Sequence, residues 1–289
     1  MLVTLKEILR AAEEKHCAVG MFNMLNLEMG RGILEAAEEE RAPVILGVAQ
    51  VHLPYIPFEY AALIMRKIAE EATAPICLHF DHGTDWEEIM LAARSGFTSV
   101  MYDGSALPYE ENVRSARAVA EAVRGLGVSV EAELGHVGGG GDGEGGGAGE
   151  YTDPGQVRDF VERTGVDALA VAIGTAHGKY SRPPVLNLEL LAQIHAVSPV
   201  PLVLHGGSGL SDLDFTRTIQ NGIRKVNICT ELCAAAQEAY IRGASFESSL
   251  TDAKNAVKEV ARGKMRLFGS ARAHVSPREE NTTTKEKPE

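Results

Sequence analysis

The chain is short of cysteine, of positive charge and of long apolar runs, and each shortage excludes something. Four cysteines occur in 289 residues, Cys17, Cys77, Cys229 and Cys233. The first three sit within or beside apolar strand-like runs, and Cys233 follows Cys229 by one helical turn. Buried thiols in a reducing compartment are the reading, and with no second pair the Cys229–Cys233 spacing is not taken as a metal site. Lys and Arg number 28 against 40 Asp and Glu, a formal net charge of −12, which argues against nucleic acid or an anionic membrane as partner. No stretch approaches the ~18 consecutive apolar residues of a membrane span. The amino end lacks a charged region followed by an apolar one, so a cytoplasmic location is expected. The Asn281-Thr-Thr sequon therefore carries little weight.

What is present is alternation. Apolar runs near Ala18–Phe22, Val44–Val48, Ile76–Phe80, Ser99–Tyr102, Val128–Glu133, Ala168–Ile173, Leu202–Leu204 and Lys225–Ile228 read as eight strands. Amphipathic stretches at Ile33–Glu40, Tyr60–Glu71, Trp86–Ser95, Asn112–Leu126, Pro154–Thr164, Leu188–Ala196 and Asp212–Asn221 read as the helices between them, with further helices at Leu5–Lys15 and Ala253–Phe268. Several strands are continuous Val/Ile/Leu/Ala runs, as when both faces are buried. Strand–helix repetition predicts parallel βαβ units. Eight even repeats favour a closed (β/α)8 TIM barrel, normally about 250 residues, over a doubly wound sheet. One domain is expected over residues 1–274, followed by a polar, disordered tail from 275 to 289.

Three strings deliver a histidine where an apolar run meets a glycine turn: His79-Phe-Asp-His82, Gly174-Thr-Ala-His177-Gly and His205-Gly-Gly-Ser-Gly209. In a barrel these are the carboxyl ends of strands three, six and seven, which share the rim where active sites of this fold are built. Three imidazoles with an open fourth position make a catalytic zinc arrangement. His82, His177 and His205 are therefore the candidate ligands, with His79 and His136 in reserve. His16, His52, His195 and His274 are read as structural. Asp81, beside His82, is a candidate for proton transfer or for orienting a histidine.

The turn Gly206-Gly-Ser-Gly209 and the segment Asn227-Ile-Cys-Thr230 follow strands seven and eight, where barrels commonly bind phosphate. Gly178 is placed to complete such a cradle. A metal beside a phosphate site suggests a phosphorylated carbonyl substrate, polarised by the ion. The competing imine chemistry needs a lysine inside the barrel. Lys225 is read as lying at the wrong end of its strand, and Lys179 in a loop.

Taken together, the chain resembles the class II, metal-dependent ketose-bisphosphate aldolases, closest to the tagatose-bisphosphate branch. The resemblance runs from about Leu5 to Gly269 and rests on Phe22-Asn23, His79-Phe-Asp-His-Gly83, Ser99-Val-Met-Tyr-Asp-Gly104, Val130-Glu-Ala-Glu-Leu-Gly135, Leu169-Ala-Val-Ala-Ile-Gly-Thr-Ala-His-Gly178, Leu204-His-Gly-Gly-Ser-Gly209 and Lys225-Val-Asn-Ile-Cys-Thr-Glu231. It implies zinc on His82, His177 and His205, and proton exchange by Asp81 with the aldehyde-derived hydroxyl. It also implies phosphate binding by Gly178, Gly206, Gly207, Ser208, Asn227 and Thr230, contact of Asn23 with the enediolate, and Glu133 as an alternate or supporting ligand. A monovalent cation (Na+ or K+) near the phosphate and a homodimer or homotetramer are further implications. The reaction implied is reversible cleavage of a ketose 1,6-bisphosphate to dihydroxyacetone phosphate and an aldehyde such as glyceraldehyde 3-phosphate.

Two departures stand out. The family's mobile loop carries a glutamate just past a Gly-Gly pair, where this chain has Gly140 and Gly141; Asp142 or Glu144 would have to substitute. Residues 245–252 also lack an arginine that relatives often use to reach a neighbouring subunit's site. Alternatives left open are an aldolase for a different ketose phosphate, a metal hydrolase or epimerase, and a non-catalytic sugar-phosphate-binding subunit.

Overall fold

Eight parallel strands close on themselves in chain order, the last pairing the first through Val19–Phe22 and Lys225–Ile228. The computed structural model describes residues 1–138 and 149–275. The elements run α1 (Leu5–Glu14), β1 (Val19–Asn23), α2 (Leu27–Glu40), β2 (Val44–Ala49), α3 (Phe58–Glu71), β3 (Ile76–Gly83), α4 (Trp86–Arg94), β4 (Ser99–Tyr102), α5 (Tyr109–Arg124) and β5 (Ser129–Leu134). They continue with α6 (Pro154–Thr164), β6 (Ala168–Val171), α7 (Leu188–Val197), β7 (Leu202–Leu204), α8 (Asp212–Gln220), β8 (Ile223–Ile228), α9 (Thr230–Arg242) and α10 (Phe246–Phe268). This is the expected (β/α)8 barrel, with α1 before it and two helices rather than one after β8.

Strand side chains alternate between barrel interior and helix layer. Leu46, Val48, Leu78, Phe80, Val130, Ala132, Leu169 and Leu204 face outward and join the helices in one large apolar core. The inward set changes character along the barrel axis. Nearer the amino ends of the strands Val19, Met21, Ile45, Cys77, Ala168 and Val203 belong to a second apolar cluster, plugged by Leu5, Ile8 and Leu9 of α1. Toward the carboxyl ends the buried set becomes Asn23, His79, Asp81, Glu131, Glu133, His205, Lys225 and Asn227. Apolar packing thus fills one end of the barrel, and a buried polar cluster occupies the end where the site must form.

Helix α1 carries a capping box, Thr4 with Glu7. Helix α6 has Asp153 at its N-cap, Pro154 in its first turn and Gly165 in the left-handed conformation behind it, the start and stop signals a helix needs. Helix α10 packs across α2, with Lys254 on Glu35 at 2.6 Å and Lys258 on Glu39 at 2.9 Å.

Candidate active site

Strand β3 shows how two adjacent residues come to serve one site. His79 and Asp81 point inward by simple alternation. His82 would then point outward, but its φ is +49° and the register with β4 slips between Phe80 and Gly83. A bulge of this kind re-aims a side chain, and a left-handed non-glycine residue stores strain of about 1–3 kcal/mol. The turn brings the His82 ring to 4.8 Å from that of His177 and 4.5 Å from that of His205, centre to centre. One ligand atom from each of the three lies within 4.8 Å of the others.

The surroundings of these rings suit a metal. His82 Nδ1 donates to Asp103 Oδ2 at 2.8 Å and His205 Nε2 to Glu131 Oε1 at 2.9 Å, the carboxylate support that ligating imidazoles usually have. That leaves the other nitrogen of each ring for an ion. His177 Nε2 is buried without a hydrogen-bond partner, an arrangement with a high penalty unless a cation fills the gap, and His205 Nδ1 faces the Glu133 carboxylate. Burial, reinforced by the charges of His82 and His205, pushes His177 down to about 3, so it is neutral and able to ligate. Burial also works against a charge on His205, but hydrogen bonds to Glu131 and Glu133 outweigh it and hold its pKa up to about 10. His82, Asp103 and Glu133 likewise bring ligand atoms within 4.8 Å of one another. Glu133 Oε2 stands 3.2 Å from His205 Nδ1, and Glu133 Oε1 accepts the Val137 N–H at 2.8 Å.

Asp81 is buried beside this cluster. Asn23 donates to its Oδ2 at 3.1 Å and Asn227 to its Oδ1 at 3.2 Å. Burial opposes its ionisation, yet the neighbouring His82 charge and the His79 contact hold it well below the ordinary carboxylate range. It stands as a carboxylate, ready to accept a proton.

A cavity of about 470 Å³ opens above these groups. Its walls include Asn23, Asp81, His82, His177, Gly178, Gly206, Gly207, Ser208, Asn227 and Thr230. His205 and Glu133 lie just beneath, fully or almost fully buried. Gly206 is in the left-handed region at φ +65°, and a Cβ there would overlap the Ala176 carbonyl, so only glycine lets the β6 and β7 loops approach this closely. Tyr180 ties them further, its hydroxyl donating to the Gly206 carbonyl at 2.7 Å and accepting the Ala176 N–H at 2.9 Å. Ser208 Oγ accepts the N–H groups of Cys229 and Glu231 at 3.2 and 3.3 Å, anchoring the start of α9. Backbone N–H groups at a helix start beside a glycine turn form a ready anion site.

Several sequence expectations need correction. Lys225 is not at the wrong end of its strand: it points into the barrel with its side chain fully buried. Its Nζ lies 2.9 and 3.1 Å from the two oxygens of Glu131 and 2.7 Å from Asn227 Oδ1. Paired in this way, the ammonium is tied up as a structural cation. His52, read as structural, lines the cavity with its Nε2 3.7 Å from Cys229 Sγ. Cys229 and Cys233 are half-buried rather than buried. Of the reserve histidines, His79 is buried against Ser99 Oγ at 2.8 Å, and His136 lines the cavity with Nδ1 2.9 Å from Ser105 Oγ. Asp142 and Glu144 lie outside the described residues, as does the tail after Val275.

Sequence reading missed Asp103, Glu131 and the interior role of Lys225. Asp103 had a signal, since it follows β4 as Asp81 ends β3. The two glutamates of Val130-Glu-Ala-Glu-Leu134 had one as well, because alternation turns Glu131 and Glu133 inward together.

Comparison with known proteins agrees over nearly the whole chain. The family model for class-II fructose-bisphosphate aldolase matches residues 3–273. The Escherichia coli K12 protein YdjI is 44% identical over 262 residues, covering 90% of this chain and 94% of its own. A Bacillus subtilis protein described as a probable fructose-bisphosphate aldolase is 41% identical over 280 residues, covering 93% and 98%. The crystal structure of the YdjI aldolase superposes with a TM-score of 0.86 at 41% identity, over 94% of this chain and 98% of that one. The fold, the rim histidines and these likenesses lead to one conclusion: the chain belongs to the class-II fructose-bisphosphate aldolases, metal-dependent carbon–carbon lyases of the TIM-barrel fold.

Proposed function

We propose that the chain reversibly cleaves a ketose 1,6-bisphosphate of the fructose or tagatose type to dihydroxyacetone phosphate and glyceraldehyde 3-phosphate. The observation that carries this reading is that one cavity gathers the imidazole cluster, an ionised Asp81 and two glycine-bearing turns. His82, His177 and His205 would hold one Zn2+, with Glu133 as an alternate ligand. When bound, the ion supplies Lewis-acid polarisation of the ketone.

The chain's own groups divide the remaining work. Gly178, Gly206, Gly207, Ser208, Asn227 and Thr230 hold the phosphate of the three-carbon half, with a monovalent cation, Na+ or K+, beside it. Asn23 contacts that half's oxygens while fixing Asp81. Asp81 takes the proton from the C4 hydroxyl as the C3–C4 bond breaks, a general-base role. The carbanion at C3 is then protonated by Asp142 or Glu144.

One barrel domain over residues 1–274 and a homodimer or homotetramer complete the proposal. Exposed apolar side chains at Tyr240, Ile241 and Phe246 support the association. Among the described residues no helix is long and apolar enough to cross a membrane, and the four free thiols fit a cytoplasmic setting.

A second reading, cleavage of a different ketose phosphate, draws support from the absence of arginine in residues 245–252. The deciding experiment is a coupled retro-aldol assay with fructose and tagatose 1,6-bisphosphates and related monophosphates, with and without a chelator. Turnover of a bisphosphate, lost on chelation and restored by zinc, is expected. Turnover that survives chelation, or a purified chain with none at all, overturns the proposal; the latter outcome points to a non-catalytic subunit.

A further inference from the structure

We propose that Cys229 and Cys233 form a redox modification site at the cavity mouth, a dithiol that a hydroperoxide closes to a disulfide within the first turn of α9. Their Sγ atoms lie 4.0 Å apart, and both residues are half-buried, whereas Cys17 and Cys77 are sealed in the core. Cys229 forms part of the cavity wall, so a small oxidant reaches it by the substrate's own route. His52 Nε2 is 3.7 Å from Cys229 Sγ, and burial keeps that imidazole neutral. A proton acceptor is therefore already in contact with the thiol.

The pair is chemically asymmetric. Cys229 lies in the cavity wall against His52, whereas Cys233 meets Cys229 from one helical turn further along α9. Cys229 is therefore the first nucleophile, its proton passing to His52. Its thiolate attacks one peroxide oxygen, the O–O bond breaks, and the departing hydroxide takes a proton to leave as water. The Cys229 sulfenic acid is then attacked by Cys233, whose proton goes to the hydroxide that leaves sulfur as a second water. The net change is two thiols plus one hydroperoxide to one disulfide plus water and the reduced peroxide, two electrons in all.

Closure has a mechanical consequence. Bonded sulfurs sit about 2.05 Å apart with Cβ atoms near 3.8 Å, whereas side chains one helical turn apart normally have Cβ atoms roughly 5–6 Å apart. The turn must tighten, and that turn holds Thr230 and the two N–H groups on Ser208 Oγ. On the proposed reading that these groups bind phosphate, oxidation weakens substrate binding. It leaves Asp81, His82, His177 and His205 on other strands in place. A strained bridge of this kind is also readily reduced.

The test uses the metal-loaded full chain treated with hydrogen peroxide, alkylated, digested with trypsin and weighed. The peptide running from Val226 to Arg242 holds both cysteines. It should lose two hydrogen atoms, resist alkylation and recover with dithiothreitol. In parallel, KM for the bisphosphate should rise about tenfold, the equivalent of one lost hydrogen bond to a charged group, with kcat little changed. Cys233→Ser should keep full basal activity and show no such rise. A peptide that instead gains oxygen, or a Cys233→Ser variant as sensitive as the parent, overturns the inference. A bridge forming in a chain without turnover leaves the modification site standing and counts against the aldolase assignment alone.

Discussion

Replacing Lys225 by methionine tests whether a single buried cation organises the floor of the site. The Lys225 ammonium is fully buried and touches both oxygens of Glu131, which also accepts from His205, as well as Asn227, which donates to Asp81. Burial alone would raise the Glu131 pKa, but Lys225 and His205 hold it down to about 2. Methionine fills similar space and leaves the carboxylate without its main counter-charge. Breaking one partner out of a buried pair costs about 3–5 kcal/mol, which for a chain of this size lowers Tm by roughly 5–8 °C. Loss of this support to an imidazole ligand should also weaken metal binding by about 10–100-fold. The assays are thermal unfolding followed by circular dichroism, with and without metal, and chelator competition for zinc affinity. The double variant Lys225→Met/Glu131→Gln separates the two effects. It should recover most of the stability, because no buried charge is left uncompensated, yet still bind metal weakly. A Lys225→Met protein that melts with the parent refutes the reasoning. So does a double variant whose loss equals the sum of the singles.

Other outcomes follow from the same geometry. Asp81→Asn should lower kcat by about 10²–10⁴-fold, the usual size of a lost general base, while metal content stays at the parent's level; a plain loss of metal would place Asp81 among the ligands instead. Gly206→Ala forces a left-handed alanine, at a cost of about 1–2 kcal/mol, against the Ala176 carbonyl. Its KM should rise more than its kcat falls, and an unchanged KM would remove the β7 turn from the phosphate site. In the metal-free protein His205 stays protonated up to about pH 10, and an ion on Nδ1 must displace that proton. Zinc affinity should therefore climb with pH between 7 and 9, with at least one proton released per ion. Calorimetry in two buffers of different ionisation enthalpy counts these protons, and no release would contradict the assignment.

The barrel was legible because its strands are apolar runs with both faces covered, and because α6 is bracketed by Asp153, Pro154 and Gly165. The clustering of His82, His177 and His205 was legible because three βα units each end on a histidine. What escaped has physical causes. Lys225 and Glu131 are charges, and read one at a time charges point to a surface. Only their pairing across the barrel, between strands distant in sequence, makes their burial tolerable. The re-aiming of His82 depends on a left-handed residue that composition does not announce. Helix α9 was missed because Leu232 is its only buried residue, so it lacks the apolar stripe by which helices are found. The half-buried state of Cys229 and Cys233 follows from that same exposure.

X-ray absorption at the zinc edge of the metal-loaded protein tests the central claim most directly. The account predicts a first shell of three imidazole nitrogens at about 2.0–2.1 Å with oxygen completing it, reduced to two imidazoles in His177→Ala. A shell dominated by sulfur at about 2.3 Å, or one unaltered by His177→Ala, would contradict it.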